Sequence, residues 1–407
     1  MKHVPHLKIP SIYLIAAEES GDALGGALIR ALIDRERGKL DVAGVGGQAM
    51  AAVGIVSPFS IHDLSILGLS AIPRRLPTIL RRIRQTADAV IAAHPDVLVI
   101  IDSPDFTHRV ARRVRRAAPS IPIVDYVSPS VWAWRPGRAR AMRRYIDCVL
   151  AILPFEPAAH VRLGGPPCLY VGHPLVERID QLRPNADEMR RRNSDPPLLL
   201  VLPGSRSSEI RRLLATFGEA IGRTAAQIGP MEVVLPTLPH LLDGVRAEAA
   251  GWAVQPRIVV EASDKWAAFR SARAALAASG TVTLELALAG VPTVGAYRVT
   301  LFEEMVARLM RLPDISTIIL ANLVIGENVV PEFLQRDCTP GKLAGALVAL
   351  VSDGAERSRQ VEAFKRLDAV MAIGTASPSG QAAAVVLDMA RRGRREPAAV
   401  GAVAGLC

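Results

Sequence analysis

The stretch Leu198-Leu199-Leu200-Val201-Leu202-Pro203-Gly204-Ser205-Arg206 predicts a buried strand, a tight turn and the start of a helix. A second stretch, from Ala274 to Thr281 (AALAASGT), repeats this layout, and Glu285 follows it by four residues. The N-terminus of a helix presents unpaired backbone N–H groups and the positive end of the helix dipole, which together suit a phosphate group. Two such turns in one half of the chain predict a site for a nucleoside diphosphate.

The side chains of the two turns add donors and acceptors to this predicted site. Arg206 supplies a forked, permanently charged donor for phosphate. Glu285 lies one helical turn beyond Thr281 on the same helix face, where its carboxylate can accept hydrogen bonds from ribose hydroxyls. The residues predicted to bind the nucleotide are Gly204, Ser205, Arg206, Ser279, Gly280, Thr281 and Glu285. The alternative is that glycine only makes the turns and serine only caps the helices.

Segments typical of strands and of helices alternate along all 407 residues, which predicts an α/β protein with parallel sheets. The length calls for two domains, which we place at 1–175 and 198–370, with a proline-rich linker over 176–197. Residues 371–392 are predicted as a terminal helix that returns to the first domain or is exchanged in a homodimer, and 393–407 as a disordered tail. The predicted fold class is two doubly wound, Rossmann-like domains facing a central cleft.

Composition narrows the classes of partner and the cellular location. The net charge of +10 favours a negatively charged partner: nucleic acid, an anionic membrane surface or a phosphorylated substrate. Aromatic residues, at 4%, rarely interleave with the basic clusters, which argues against single-stranded nucleic acid. The four cysteines follow no metal or disulfide pattern, and no histidine has metal-ligand spacing. The segment from Ile12 to Ala17 is typical of a first strand rather than a signal peptide, so we expect a cytoplasmic protein.

Asp102 is the candidate general base. It directly follows the predicted strand from Val97 to Ile101, where a half-buried carboxylate beside a bound sugar can take a proton from an attacking hydroxyl. The competing interpretation is that Asp102 caps the next turn or helix, although Asp105 is better placed to be that cap. The sequence leaves both interpretations open.

Two further loops at predicted strand ends are candidates for an acceptor or sugar pocket. The first holds Glu18, Ser20 and Gly21, and the second holds Ser128, Trp132 and Arg135. Aromatic faces such as that of Trp132 can hold a sugar or line an acyl pocket, and they can equally be part of the core.

An apolar stripe bordered by arginines predicts contact with a membrane. Leu69, Ile72 and Leu76 share helical spacing, and Arg74 and Arg75 lie among them. This pattern is typical of a helix at the interface of lipid and water, where anionic headgroups attract the arginines. An ordinary helix packed on a sheet with a solvated basic face explains the same pattern.

The ordered set of motifs resembles the bacterial lipid-A-disaccharide synthases over about residues 12–387. The strings that carry the resemblance are Glu18-Glu19-Ser20-Gly21-Asp22, Gly44-Val45-Gly46-Gly47, Ile101-Asp102-Ser103-Pro104-Asp105-Phe106, Tyr126 through Arg135, Pro154-Phe155-Glu156, Val171-Gly172-His173-Pro174, Leu202 through Arg206, Ala278 through Glu285, Ala321-Asn322-Leu323 and Leu334-Gln335. Ser-Pro-Ser-Val-Trp-Ala-Trp-Arg is the most specific of them.

This resemblance implies an inverting glycosyltransferase of the GT-B type that needs no metal and no cofactor. Its substrates would be UDP-2,3-diacylglucosamine and 2,3-diacylglucosamine 1-phosphate (lipid X), its products UDP and the lipid A disaccharide precursor, and its location the cytoplasmic face of the inner membrane. The essential aspartate of the family falls on Asp102, and its nucleotide-side residues fall on Ser205, Arg206, Glu285 and Asn322.

The chain departs from the family pattern at five positions, which are Ala17, Glu19, Ala71, Asp125 and Ala321. Two alternative functions remain at this point. A UDP-sugar epimerase of the same architecture would use the nucleotide turns without an acceptor, and a nucleic-acid-binding module would use the basic first half.

Overall fold

The computed structural model describes residues 9–64, 72–299 and 317–393, with only the backbone of 72–75. The chain divides into two compact units, one formed by Met1–Glu177 with Ile373–Cys407 and the other by Arg178–Ala372. The chain therefore passes from the first unit into the second at Arg178 and returns to the first at Ile373.

The strands form two six-stranded sheets, one in each unit. Their bounds are β1 Ser11–Ala16, β2 Asp41–Val45, β3 Val97–Ile101, β4 Ile123–Tyr126, β5 Cys148–Ala151, β6 Cys168–Tyr170, β7 Leu198–Leu202, β8 Glu232–Pro236, β9 Arg257–Val259, β10 Ala274–Ala278, β11 Thr293–Tyr297 and β12 Glu332–Leu334. Every pairing between strands in the described residues is parallel.

The α-helices that the structure describes connect and cover these strands. Their bounds are α1 Glu19–Arg35, α2 Gln48–Ala51, α3 Ile72–Ala93, α4 Pro104–Ala117, α5 Gly137–Met142, α6 Glu156–Arg162, α7 Ile179–Leu182, α8 Ala186–Arg192, α9 Ser207–Ile228, α10 Leu242–Ala249, α11 Ala262–Ser271, α12 Thr281–Leu288, α13 Leu320–Ile325, α14 Pro340–Val351, α15 Ala355–Lys365, α16 Leu367–Val370 and α17 Pro378–Arg392. No helix in the described part of the chain has the length and apolarity needed to cross a bilayer.

Each sheet reverses its strand order once, and this reversal decides where each unit can bind a ligand. The first sheet runs β2-β1-β3-β4-β5-β6, so the order reverses between β1 and β3. The second runs β12-β11-β10-β7-β8-β9, with the reversal between β10 and β7. Helices that follow the two strands at such a point leave the sheet on opposite faces, which opens a crevice at the carboxyl ends of those strands.

Apolar side chains cover both faces of the first sheet. On one face, α3 and α4 contribute Ile83, Val110 and Val114 to the core. On the other, the terminal helix α17 packs against α1, and Val386 and Leu387 lie in one core with side chains of α1. The second sheet has its own hydrophobic core, to which α9, α14 and the strands of that sheet contribute side chains. The predicted fold class, α/β with two doubly wound parallel sheets, is confirmed.

Residues 176–197, which the sequence analysis treats as a linker, contain α7 and α8. Asn185 and Glu188 form a reciprocal capping box at the start of α8. The buried guanidinium of Arg192 donates to the carbonyl oxygens of Phe269, Ala289 and Gly290 at distances of 3.0–3.1 Å. These contacts hold the segment on the second unit.

Candidate active site

The two predicted phosphate turns lie on either side of the strand reversal in the second unit. The turn after β7 and the turn after β10 line one cavity of about 430 Å³. Of the residues predicted to bind the nucleotide, the structure brings these to the cavity: Gly204, Ser205, Arg206, Ser279, Gly280, Thr281 and Glu285. Helices α9 and α12 both begin at this cavity, so their dipoles favour an anion there.

The turn after β7 contains a carboxylate that the sequence analysis overlooked. Glu209 accepts the backbone N–H groups of Ser205 and Arg206 at 3.1 and 3.3 Å and pairs with the Arg206 guanidinium at 3.0 Å. Gly204 has a φ of 112°, and a Cβ at this position would collide with the Glu209 side chain. A diphosphate that uses these N–H groups must therefore displace Glu209.

The turn after β10 contributes a second charged pair. Lys265 of α11 lies 3.2 Å from the Glu285 carboxylate, and its ammonium group stands 4.2 Å from the ring centroid of Trp266. The carboxylate predicted to accept ribose hydroxyls is therefore already fixed by a lysine. Lys265 lies on a helix of no recognisable motif, so nothing in the sequence identifies it as a residue of the cavity.

Thr237 also lines the cavity, directly after β8. Its hydroxyl oxygen is buried and has no hydrogen-bond partner among the described residues. A buried hydroxyl without a partner is costly, so this one is suited to a polar ligand. The rule that ligand-binding residues follow the carboxyl ends of parallel strands would have identified Thr237 from the sequence.

Asn322 is not brought to this cavity. Its side chain is buried in the second unit, where Nδ2 donates to Val330 O at 3.0 Å and Oδ1 accepts from Val330 N at 2.8 Å. These bonds fix the loop after α13. In this arrangement Asn322 shapes the backbone of its loop and does not line the cavity.

In the first unit, Asp102 and Ser20 meet at the strand reversal between β1 and β3. Ser20 Oγ donates to Asp102 Oδ2 at 3.3 Å, and Ser103 N donates to Asp102 Oδ1 at 2.7 Å. Asp102 and Ser103 both have left-handed backbones, with φ of 52° and 47°. Such strain in residues other than glycine is typical of functional sites.

The structure does not show Asp102 in the role of a helix cap. A cap would accept an N–H group from the first turn of α4, whereas the Asp102 carboxylate accepts from Ser103 and Ser20. Asp105, the other candidate cap, lies inside the first turn of α4 with its side chain 89% exposed. Neither aspartate is the cap, because Ser103 occupies that position without a side-chain cap bond.

The loop after β1 shows why small residues are needed beside Asp102. A Cβ on Gly21 would lie 3.1 Å from the carbonyl oxygen of Ile101, so glycine lets α1 approach the end of β3. Glu18 precedes α1 and is exposed, without a side-chain cap bond. Asp22, in contrast, is buried and accepts the backbone N–H groups of Gly47, Ala49 and Met50, which fixes the loop after β2.

The loop after β4 rests on a buried polar network. Ser128 Oγ lies 2.8 Å from His160 Nε2, and Trp132 Nε1 donates to Glu156 Oε1 at 3.4 Å. Burial lowers the pKa of His160 and raises the pKa of Glu156 from 4.5 to about 7. Ser128 is thus buried at the base of the loop to which it belongs. Trp132 donates to Glu156, whose pKa is near neutrality.

We expect Glu156 to lower the stability of the protein as the pH rises from about 4.5 to about 7, because its carboxyl group ionises more readily in the unfolded chain than in the folded protein. Because its folded pKa is raised, its contribution to stability is full below about pH 4.5 and is lost as the pH rises through 7. The loss amounts to about 3 kcal/mol. Urea titrations monitored by tryptophan fluorescence measure the free energy of unfolding at pH 4.5 and at pH 8. Between these two values, the free energy of unfolding of Glu156→Gln should rise by about 3 kcal/mol relative to that of the wild type. A difference between the two proteins that does not change with pH would contradict this.

Arg135, the last predicted residue of the acceptor pocket, lies away from this network. It has a left-handed backbone, with φ of 52°, and its guanidinium carbon stands 5.3 Å from the ring centroid of Trp134. Its side chain lines a separate cavity of about 360 Å³ between α4 and α5.

The predicted membrane stripe is described only in part. Leu69 and the side chains of Ile72, Arg74 and Arg75 lie outside the described residues. Leu76 is 42% exposed, as is Leu80 one turn further along α3. The stripe continues into the core at Ile79 and Ile83, so the same helix packs on the sheet and presents leucines to solvent.

Sequence comparison gives one consistent result. The family model of lipid-A-disaccharide synthetases matches residues 12–386. The chain is 61% identical over 383 residues to the lipid-A-disaccharide synthase of Nitrobacter winogradskyi, covering 94% of this chain and 96% of that protein.

The solved structures that resemble this one are much more distant in sequence. The UDP-N-acetylglucosamine 2-epimerase of Neisseria meningitidis bound to UDP-N-acetylglucosamine has a TM-score of 0.59 at 11% identity, over 94% of this chain and 100% of that one. The calicheamicin glycosyltransferase CalG4 has a TM-score of 0.55 at 16% identity, over 95% of this chain and 99% of that one. At such identities the likeness shows the fold, which is the predicted GT-B type, and it is shared by epimerases and transferases alike.

Proposed function

Because the chain belongs to the lipid-A-disaccharide synthetase family, we propose that it transfers 2,3-diacylglucosamine from UDP-2,3-diacylglucosamine to 2,3-diacylglucosamine 1-phosphate (lipid X) and releases UDP. The observation that supports the donor is the convergence of two phosphate turns on one cavity at a strand reversal. The alternative of a UDP-sugar epimerase has less support. The epimerase structure shares the fold at 11% identity, whereas the lipid-A-disaccharide synthase relative is 61% identical to this chain.

The proposed reaction is a single substitution at the anomeric carbon of the donor. Asp102 of the first unit takes the proton from the primary hydroxyl of the acceptor, and the hydroxyl oxygen attacks the anomeric carbon of the donor. The new glycosidic bond forms as the bond from that carbon to the UDP oxygen breaks, with inversion. Arg206 and the N-termini of α9 and α12 stabilise the charge that develops on the departing diphosphate.

Product analysis tests this function. The purified full-length protein is incubated with UDP-2,3-diacylglucosamine, with and without lipid X, and the products are measured by mass spectrometry. We expect a disaccharide 1-phosphate and an equal amount of UDP only when both substrates are present. Conversion of the donor to an isomeric sugar without acceptor would instead identify an epimerase.

The exposed leucines of α3 support a peripheral location on the inner membrane. Both proposed substrates carry acyl chains, so both would lie in that membrane. We expect Leu76→Ser combined with Leu80→Ser to reduce flotation with vesicles that contain anionic phospholipid. Val161→Ser is a matched control, because Val161 is 84% exposed on α6 of the same unit. Equal flotation of the double variant and the wild type would reject this membrane face.

A further inference from the structure

The cavity between α4 and α5 collects arginines that the proposed mechanism does not use. It has a volume of about 360 Å³ and lies within the first unit. Its lining includes Arg109, Arg112, Arg135 and Arg138, together with Asp105 and the buried His108. We call this feature the arginine cavity.

The arginine cavity carries an excess of positive charge. Asp105 is its one carboxylate among the described residues, and Asp105 Oδ1 lies 3.5 Å from Arg138 Nη2. In the described part of the chain, neither Arg109 nor Arg135 has a carboxylate within ion-pair distance. Four guanidinium groups around one carboxylate repel one another, so an anion bound among them would relieve this repulsion.

A buried chain of polar side chains holds Arg112 in place. Arg112 Nη2 donates to the Tyr145 hydroxyl at 3.0 Å, and the guanidinium stands 4.7 Å from the centroid of that ring. The hydroxyl lies 3.1 Å from His108 Nδ1, and His108 Nε2 lies 3.1 Å from a carboxylate oxygen of Asp125. Asp125 and His108 are both buried. Arg112 is thus oriented before any ligand arrives, which lowers the entropy cost of binding.

The chemistry of the arginine cavity favours a phosphate monoester. Guanidinium groups donate paired, parallel N–H bonds that match phosphate oxygens, and several of them together neutralise a dianion. The cavity is concave, and its volume of about 360 Å³ is within the range of pockets that hold small molecules, so it has room for a phosphate group and part of the sugar that carries it.

The position of the arginine cavity connects it to Asp102. Its wall includes Pro104, two residues after Asp102, and Arg109 stands five residues further along α4, about 7.5 Å along the helix axis. The arginine cavity therefore begins at the end of α4 that directly follows Asp102. We infer that the arginine cavity binds the phosphate group of the glycolipid acceptor and thereby presents the hydroxyl at the other end of the sugar to Asp102. This inference rests on the proposed function, since it assigns a subsite to that reaction.

Steady-state kinetics with two acceptors tests the inference. Arg109→Gln and Arg112→Gln should each raise KM for the phosphorylated acceptor about tenfold, because each removes charged hydrogen bonds to phosphate. The KM for the donor should not change. With an acceptor that lacks the phosphate, the variants and the wild type should be indistinguishable. Arg113→Gln is the matched control, because Arg113 lies on the same helix, pairs with Asp88 and does not line the arginine cavity.

Two further measurements separate the possible failures. Calorimetric titration with glucosamine 1-phosphate needs no turnover, and we expect Arg109→Gln to bind it about tenfold more weakly than the wild type does. If the wild type forms disaccharide but the variants keep their KM and their affinity for the sugar phosphate, the inference fails and the proposed function stands. If the wild type forms no disaccharide but the affinity falls as expected, the proposed function fails and the phosphate site stands.

The same variants distinguish an acceptor phosphate from phospholipid headgroups. We expect Arg109→Gln and Arg112→Gln to float with vesicles of phosphatidylglycerol as well as the wild type does. A loss of flotation with equal KM values for the two acceptors would show that these arginines bind the membrane surface and would overturn the inference. Equal thermal midpoints would show that the variants are folded.

Discussion

Replacing Asp102 with asparagine should lower kcat about a hundredfold or more while the affinity for UDP stays the same. The substitution keeps the shape of the side chain, so its oxygen can still accept the Ser103 N–H that is 2.7 Å away. It removes the carboxylate that we propose takes the proton from the acceptor hydroxyl. UDP affinity should be unaffected because the proposed nucleotide site belongs to the second unit.

The matched control for Asp102→Asn is Asp105→Asn, the same chemical change three residues further along. The Asp105 side chain is 89% exposed, and its ion pair with Arg138 is long, so kcat should stay close to that of the wild type. Because Asp105 lines the arginine cavity, its substitution should change only the KM for the phosphorylated acceptor. A wild-type kcat in Asp102→Asn would remove Asp102 as the base. An equal fall in both variants would indicate that charge at the start of α4 matters rather than proton transfer.

Replacing Arg206 with alanine should weaken UDP binding about tenfold or more, as expected for the loss of charged hydrogen bonds to phosphate. The Arg206 side chain is 77% exposed and pairs only at the surface with Glu209, so its loss should leave the stability of the second unit almost unchanged. Isothermal titration calorimetry with UDP measures the affinity, and a thermal unfolding curve checks the fold. An unchanged dissociation constant would exclude Arg206 from the diphosphate site.

Glu209→Gln provides the opposite change at the same turn. It removes the negative charge that accepts the N–H groups of Ser205 and Arg206 and would repel a diphosphate. UDP should therefore bind more tightly to Glu209→Gln than to the wild type. Weaker binding would mean that the carboxylate positions Arg206 for the nucleotide rather than competing with it.

The fold could be predicted from the sequence because its signals are local. Each buried strand is a short run of apolar residues, and β3, β7 and β10 lie where the pattern places them. The strands β6 and β12 were not predicted, because each has only three residues and three residues are too few to show a pattern of apolar positions. The helices α7 and α8 were not predicted, because the prolines on either side of them are typical of a linker.

The candidate site could be predicted where a residue follows a strand or forms a turn, as with Asp102 and Ser279. It could not be predicted where a side chain reaches the cavity from a distant element. Lys265 comes to Glu285 from a neighbouring helix, and Glu209 folds back onto its own turn. Asn322 is the opposite case, a predicted site residue that does not reach the cavity. Its side chain accepts the backbone N–H groups of Val329 and Val330, and nothing in the local sequence indicates these hydrogen bonds.

The packing of α17 on α1 imposes an order on the synthesis of this protein. The core that contains Leu28 and Ile29 also contains Val386 and Leu387, which are translated more than 350 residues later. During translation the second unit emerges complete while this face of the first remains open. Folding of the first unit therefore finishes only after the ribosome has released its last helix, and a truncation before Pro378 would damage the N-terminal unit rather than the C-terminal one.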